Sequence, residues 1–206
     1  MNATATAKAT PFTLDDFLAW EAAEPCRHEF IEGEAFAMTG GTDVHNLISL
    51  NAAIHLREHT QGKPCRVFMA DMKLVVTAAD ACFYPDVFVT CTPADAERAL
   101  VKHDAKIIVE VLSPGTEAYD RGKKFSHYRL IDSLQAYVLI AQDEYRIEAF
   151  ARAPDNHWTL YDASGLDATL SLPMQDGEML NLSLAQIYQD IRLSPPPPRP
   201  DREQTT

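Results

Sequence analysis

Residues 106–114, KIIVEVLSP, and residues 82–91, CFYPDVFVTC, decide the architecture of this chain. In the first run Ile107, Ile108, Val109 and Val111 surround one acid, Glu110, and Ser113-Pro114-Gly115 ends it. Polar and apolar residues do not alternate. A strand of that kind is covered on both faces, so it is expected at the centre of a sheet with layers on either side. The second run has the same character and is interrupted by one acid, Asp86. Residues 65–77, CRVFMADMKLVVT, precede it across Ala78-Ala79-Asp80, which predicts a hairpin with its tip near residue 79.

Working outward, AYVLIAQ (136–142) and RIEAFAR (146–152) read as strands about a Gln142–Tyr145 turn, and HWTLYD (157–162) as a further strand. RHEFIEGEAFAMTGG (27–41) predicts two short strands about Glu32-Gly33. Thr13 to Asp16 reads as a capping box opening a helix to about Glu21, with Phe17 and Trp20 on one face. Leu47, Leu50, Ile54 and Leu56 predict a long amphipathic helix from Thr42 to about His59. Thr92-Pro93 opens a short helix, Thr116 one to about Ile131 carrying Tyr119, Phe125 and Tyr128, and Ser183 a closing one to about Ile191. The expectation is a single α/β (α+β) domain over residues 11–193, a mixed sheet flanked by helices. Residues 1–10 and the Pro-rich residues 194–206 are expected to be disordered tails.

The chain has 206 residues, with 18 Lys and Arg against 30 Asp and Glu, a net charge of −12. That balance argues against a protein that coats nucleic acid non-specifically, because a basic surface supplies most of such affinity. Cys26, Cys65, Cys82 and Cys91 show no zinc-like spacing and are expected as reduced thiols. No apolar run approaches the roughly 18 residues of a membrane span, and MNATATAKATPF lacks the apolar core of a signal peptide, so a cytoplasmic protein is expected.

Asp86 and Glu110 stand out because a buried charge is costly unless it is paired or bound to metal. If their strands are neighbours, the two carboxylates converge on one hard divalent ion, and an oxygen-only set suits Mg2+ or Mn2+. The alternative is that each acid reaches solvent at a strand end or pairs with a nearby Arg or Lys. Arg121, Lys123, Lys124 and Arg129, beside His127, read either as a positive ridge for phosphate or as a solvated helix face.

These segments resemble the PD-(D/E)xK nuclease superfamily and, within it, the Uma family of bacterial restriction-endonuclease-like proteins. The matching stretches are HEFIEGE (28–34), His45-Asn46-Leu47, ADMKLVV (70–76), YPDVFV (84–89), IVEVLSPGTEAYDRGKKFSHYR (108–129) and YVLIAQDE (137–144). The resemblance implies a four-stranded mixed core sheet, Asp86 and Glu110 as metal carboxylates, and hydrolysis of DNA. One departure matters, because the superfamily lysine two residues after the second acid is Leu112 here. Lys124 matches a recurring family lysine four residues before Tyr128 and is the favoured substitute. Lys73 is the rival: with the tip near 79, opposed positions sum to about 160, which sets it against residues 86–87. Glu29 matches the glutamate of the family's opening hairpin and is assigned an accessory role beside Asp86, Glu110 and Lys124. His45, Asp71 and Asp120 carry less weight. A DNA endonuclease acting as a homodimer is the leading expectation, since a duplex has two strands to cut; a degenerate binding or assembly module is the alternative.

Overall fold

The computed structural model describes residues 12–38 and 40–193; both expected tails lie outside the described residues. A six-stranded sheet runs in the order β11-β10-β9-β8-β6-β3, and KIIVEVLSP supplies its central strand β8 (Ala105–Leu112). On one side β8 pairs antiparallel with β6 (Val87–Thr90), which pairs with β3 (Arg66–Met69). On the other it pairs in parallel with β9 (Ala136–Ala141), followed by antiparallel β10 (Arg146–Arg152) and β11 (Trp158–Ser164). The sheet is mixed as expected, with six strands rather than four, because the two downstream strands extend it beyond β9.

A second sheet, β2-β1-β5-β4-β7, contains β1 (His28–Ile31), β2 (Glu34–Ala37), β4 (Lys73–Val76), β5 (Ala81–Phe83) and the two-residue β7 (Val101–Lys102). The stretch read as one long hairpin is therefore shared between two sheets. Ala70, with φ of 48°, turns the chain between β3 and β4, and Tyr84-Pro85-Asp86 separates β5 from β6. Proline has no N–H for a ladder and suits such a break. The register at the tip is offset from the expected one, since opposed positions sum to 157 rather than about 160. A 3₁₀ turn at Thr77–Ala79 and a left-handed Asp80 set Leu74 against Phe83 and Val76 against Ala81.

Layers cover both faces of the six-stranded sheet. On one face, Val87, Val89, Ile107, Val109 and Val111 pack with Ile48, Ala52 and Leu56 of helix α2 (Asp43–His59), the hairpin β12–β13 (Thr169–Pro173, Met179–Ser183) and the short helix α6 (Leu184–Ile187). The buried stripe of α2 is thus Ile48, Ala52 and Leu56; Leu50 and Ile54, expected inside, are exposed. On the other face, Phe88, Ile108 and Leu139 pack with Leu74, Phe83, Tyr128 and Tyr137. Helix α1 (Leu14–Glu21), opened by the expected Thr13 capping box, buries Phe17 against Phe30 beyond the second sheet.

Four further expectations change. The helix after Thr116 is α4 (Glu117–Tyr119), a π-turn at Asp120–Lys124 and α5 (Phe125–Tyr128), and the Ser113 hydroxyl, not that of Thr116, accepts an N–H at its start. The closing helix ends at Ile187, and the β12–β13 hairpin had no counterpart in the sequence reading. Cys65 and Cys91 are disulfide-bonded, because Arg66 faces Thr90 and the flanking cysteines fall opposite each other across β3 and β6. Cys26 and Cys82 are free. Among the described residues no helix is long and apolar enough to cross a membrane.

Candidate active site

Val87 faces Val109 in the β6–β8 ladder, so the residue before β6, Asp86, lies against Glu110. Strand alternation turns Glu110 toward the face that carries Phe88 and Ile108, while Asp86, just before β6, stays within reach of the first turn of α2. Here the two sheets part, leaving a cavity of about 230 Å3 whose walls include Glu29, His45, Asp86, Glu110, Asp120 and Lys124. Three of the four expected site residues, Glu29, Glu110 and Lys124, meet at one ammonium. Lys124 Nζ is 2.9 Å from Glu110 Oε1 and 3.1 Å from Glu29 Oε1, with Asp120 Oδ1 at 3.7 Å. The fourth, Asp86, is joined to Glu110 through its backbone, whose N–H points at Glu110 Oε2 at 3.4 Å.

The Asp86 carboxylate is oriented from two sides. Its Oδ2 accepts the Val111 N–H at 2.7 Å and lies 3.2 Å from His45 Nε2, in the first turn of α2. The Asp86 contact raises the His45 pKa against the opposing effect of burial. Glu110 Oε1 also accepts the Tyr128 hydroxyl at 2.9 Å. Burial drives the Glu110 carboxyl up to about 8 against the pull of the Lys124 ammonium, and the Asp86 and Asp120 carboxylates add to the rise. Burial likewise raises Asp120. For Lys124, burial favours the neutral amine, but Glu110, Glu29 and Asp120 outweigh it and hold the ammonium well above its ordinary range.

Lys73, the rival lysine, is elsewhere. It pairs with Val101 in the second sheet, and its amine lies 5.4 Å from the centre of the Tyr84 ring, outside the walls of this cavity. The offset hairpin register and the turn at Ala70 account for the displacement. Asp71 is exposed and pairs with Arg27. The basic ridge is divided: Lys124 is buried and Arg121 pairs with Glu117 at 2.7 Å and Glu148 at 2.5 Å, while Lys123 and Arg129 are exposed. Sequence reasoning undervalued Asp120 and assigned no part to Tyr119 or Tyr128. An α-helix separates residues five apart by about 140°, whereas a π-turn stacks them. The π-turn thus brings Tyr119 and Lys124 to the same cavity, and an unmarked local register change has no sequence signal.

Among the described residues no three His, Cys, Asp or Glu side chains form a cage able to hold an ion alone. The donor set nevertheless fits a hard ion. Mg2+ is commonly held by one or two carboxylates with water and substrate phosphate completing the octahedron. Three carboxyl groups here surround one ammonium, a fourth, that of Asp86, lines the same cavity, and among the described residues no hydrogen bond reaches Asp86 Oδ1.

The layered mixed sheet and the acids at its parting define a nuclease-like α/β fold. A solved structure described as a "putative nuclease belonging to DUF820" from Anabaena variabilis superposes with a TM-score of 0.65, covering 86% of this chain and 98% of that one at 20% identity. The model of the Uma2 family, described as "Putative restriction endonuclease", matches residues 14–185, and the chain belongs to that family. Two relatives from Synechocystis sp. are the uncharacterized proteins slr1290, 34% identical over 73% of this chain and 80% of its own length, and sll1609, 31% identical over 77% and 90%.

Proposed function

We propose that the chain is a Mg2+- or Mn2+-dependent endonuclease that hydrolyses DNA phosphodiester bonds, with Asp86 and Glu110 as metal ligands, Lys124 as the catalytic cation and Glu29 as an accessory acid. The observation that carries this reading is the meeting of the Asp86 and Glu110 strands in register, with Lys124 Nζ 2.9 Å from Glu110. A divalent ion bound there polarises the phosphoryl group and lowers the pKa of a coordinated water.

The chain's own residues supply the rest. His45 and the Val111 N–H hold Asp86 in one orientation, and Tyr128 does the same for Glu110. The carboxylate cage keeps Lys124 protonated, so it serves as a positive charge beside the phosphate and the attacking water rather than as a base. Glu29, 3.1 Å from Lys124, fixes the ammonium from the second sheet. Position 112 needs no lysine, because the helix after β8 delivers one to the same carboxylate.

Purified chain should cut DNA with Mn2+, and Asp86→Asn should abolish both cleavage and the rise in melting temperature that Mn2+ gives by binding only the native state. A metal response unchanged in Asp86→Asn removes it from the ligand set. The net charge of −12 and the inward-facing Lys124 favour a second reading, a nuclease-fold binding or assembly module. The absence of turnover with either metal on single- or double-stranded DNA would select it. A homodimer with two active sites is the proposed assembly for duplex cleavage.

A further inference from the structure

A larger cavity, of about 760 Å3, adjoins the active-site cavity and shares Glu29, Phe36 and Tyr119 with it. Glu29 and Phe36 face each other across the β1–β2 hairpin, so their side chains emerge on one face of that ribbon. Phe36 is 48% exposed, an aromatic face left in water at the junction of the two spaces. Glu32, Glu34, Lys123, Ser126 and His127 complete the polar lining. Glu29 is already paired with Lys124, and Glu32 and Glu34 stand against the single Lys123, so the space favours an uncharged group over the nucleic-acid backbone.

The hydrogen-bonding capacity of the wall is also unused. Tyr119 Oη and His127 Nδ1 are buried without a hydrogen-bond partner, two of the few such side-chain atoms among the described residues. Glu29 Oε1 is met only by the Lys124 ammonium, at 3.1 Å. A buried polar atom left unpaired costs about 1–3 kcal/mol, and its concentration at one cavity calls for a ligand or ordered water. A flat aromatic face, carboxylates that accept from exocyclic amines, and exclusion of phosphate together match one chemical group.

We propose that this second cavity is a nucleobase subsite, in which a base next to the scissile phosphate stacks on Phe36 while its edge meets the Glu29 wall. The inference rests on the nuclease reading above and names its substrate class: a strand whose bases are already unstacked. A duplex would have to extrude the base, at a cost of a few kcal/mol. The subsite binds and orients, and no bond forms to it.

The test uses the full chain with Mn2+ and a labelled oligonucleotide, presented single-stranded or annealed to its complement. The single strand should be cut at least about tenfold faster, since base extrusion is avoided. Phe36→Ala should raise KM for the single strand about tenfold or more, within the range of one lost stacking contact, with a smaller change in kcat. Phe36→Trp should restore KM, and neither variant should alter the Mn2+-induced rise in melting temperature. Equal KM for Phe36→Ala and wild type, or equal cleavage of duplex and single strand, overturns the subsite while leaving the nuclease reading intact. If wild type cuts neither substrate, the nuclease reading fails. Fluorescence anisotropy with the same single strand and Mg2+ then decides the subsite: weaker binding by Phe36→Ala supports it, and equal or absent binding overturns it.

Discussion

Lys124→Met keeps most of the hydrocarbon stem and removes the charge, with the ammonium that lies 5.9 Å from the centre of the Phe83 ring. On an exposed helix face the change would cost almost nothing. Here the side chain is 8% exposed, and its ammonium lies within 4 Å of three carboxylates. Removing one partner of a buried pair strands the others in a poorly solvated space, at a cost of about 3–5 kcal/mol. The lower end applies, near 3 kcal/mol, because Glu110 relieves part of the repulsion by taking up a proton. For a chain of this size each kcal/mol lowers Tm by about 2–4 °C, which gives a fall of about 6–12 °C. Thermal melts followed by circular dichroism at pH 8 in EDTA measure it directly. Two controls identify the cause: at pH 5 the loss should shrink as Glu110 becomes neutral, and Mn2+ should stabilise the variant more than wild type. A loss under about 1 kcal/mol, equal at both pH values, would refute the caged-ammonium argument, since solvent-screened charges give that result.

The metal-free protein should lose stability as pH rises through about 8. Glu110 is raised from 4.5 in the fold, so its contribution is fully present below the unfolded value and disappears above the folded one. The Mn2+-induced gain should grow over the same window, because the ion competes with that proton; a gain that is flat or falls with pH removes Glu110 from the ligand set. Thiol titration without reductant should find one reactive cysteine in the native protein, Cys26, and two after denaturation. Cys82 is buried with its thiol pushed up to about 12, and Cys65 and Cys91 are bonded. Four reactive thiols on denaturation would exclude the disulfide.

The central strand was legible because its pattern is local: four β-branched residues about one acid cannot form a half-solvated strand. The same holds for Asp86 and Glu110, whose positions inside apolar runs made each costly and so conspicuous. Helix α1 was legible through its capping box, and the β1–β2 hairpin through its Glu32-Gly33 turn, where the structure has φ of 47° and 90°. Lys124 was singled out through family resemblance, and in isolation its sequence would equally fit an exposed helix face.

Local sequence carried most of the strands, the first two helices and the two acids, since periodicity, capping and the cost of buried charge all act within a few residues. Tertiary structure decided which elements meet. The turn at Ala70 and the break at Pro85 divided one apparent hairpin between two sheets, sending Lys73 away from Asp86. The π-turn at Asp120–Lys124 turned a lysine from an apparent surface ridge into the cage of Glu29, Glu110 and Asp120. The pairing of β3 with β6 joined two cysteines 26 residues apart. Each of these is a long-range register, and register is set by packing between segments whose separation along the chain carries no local signal.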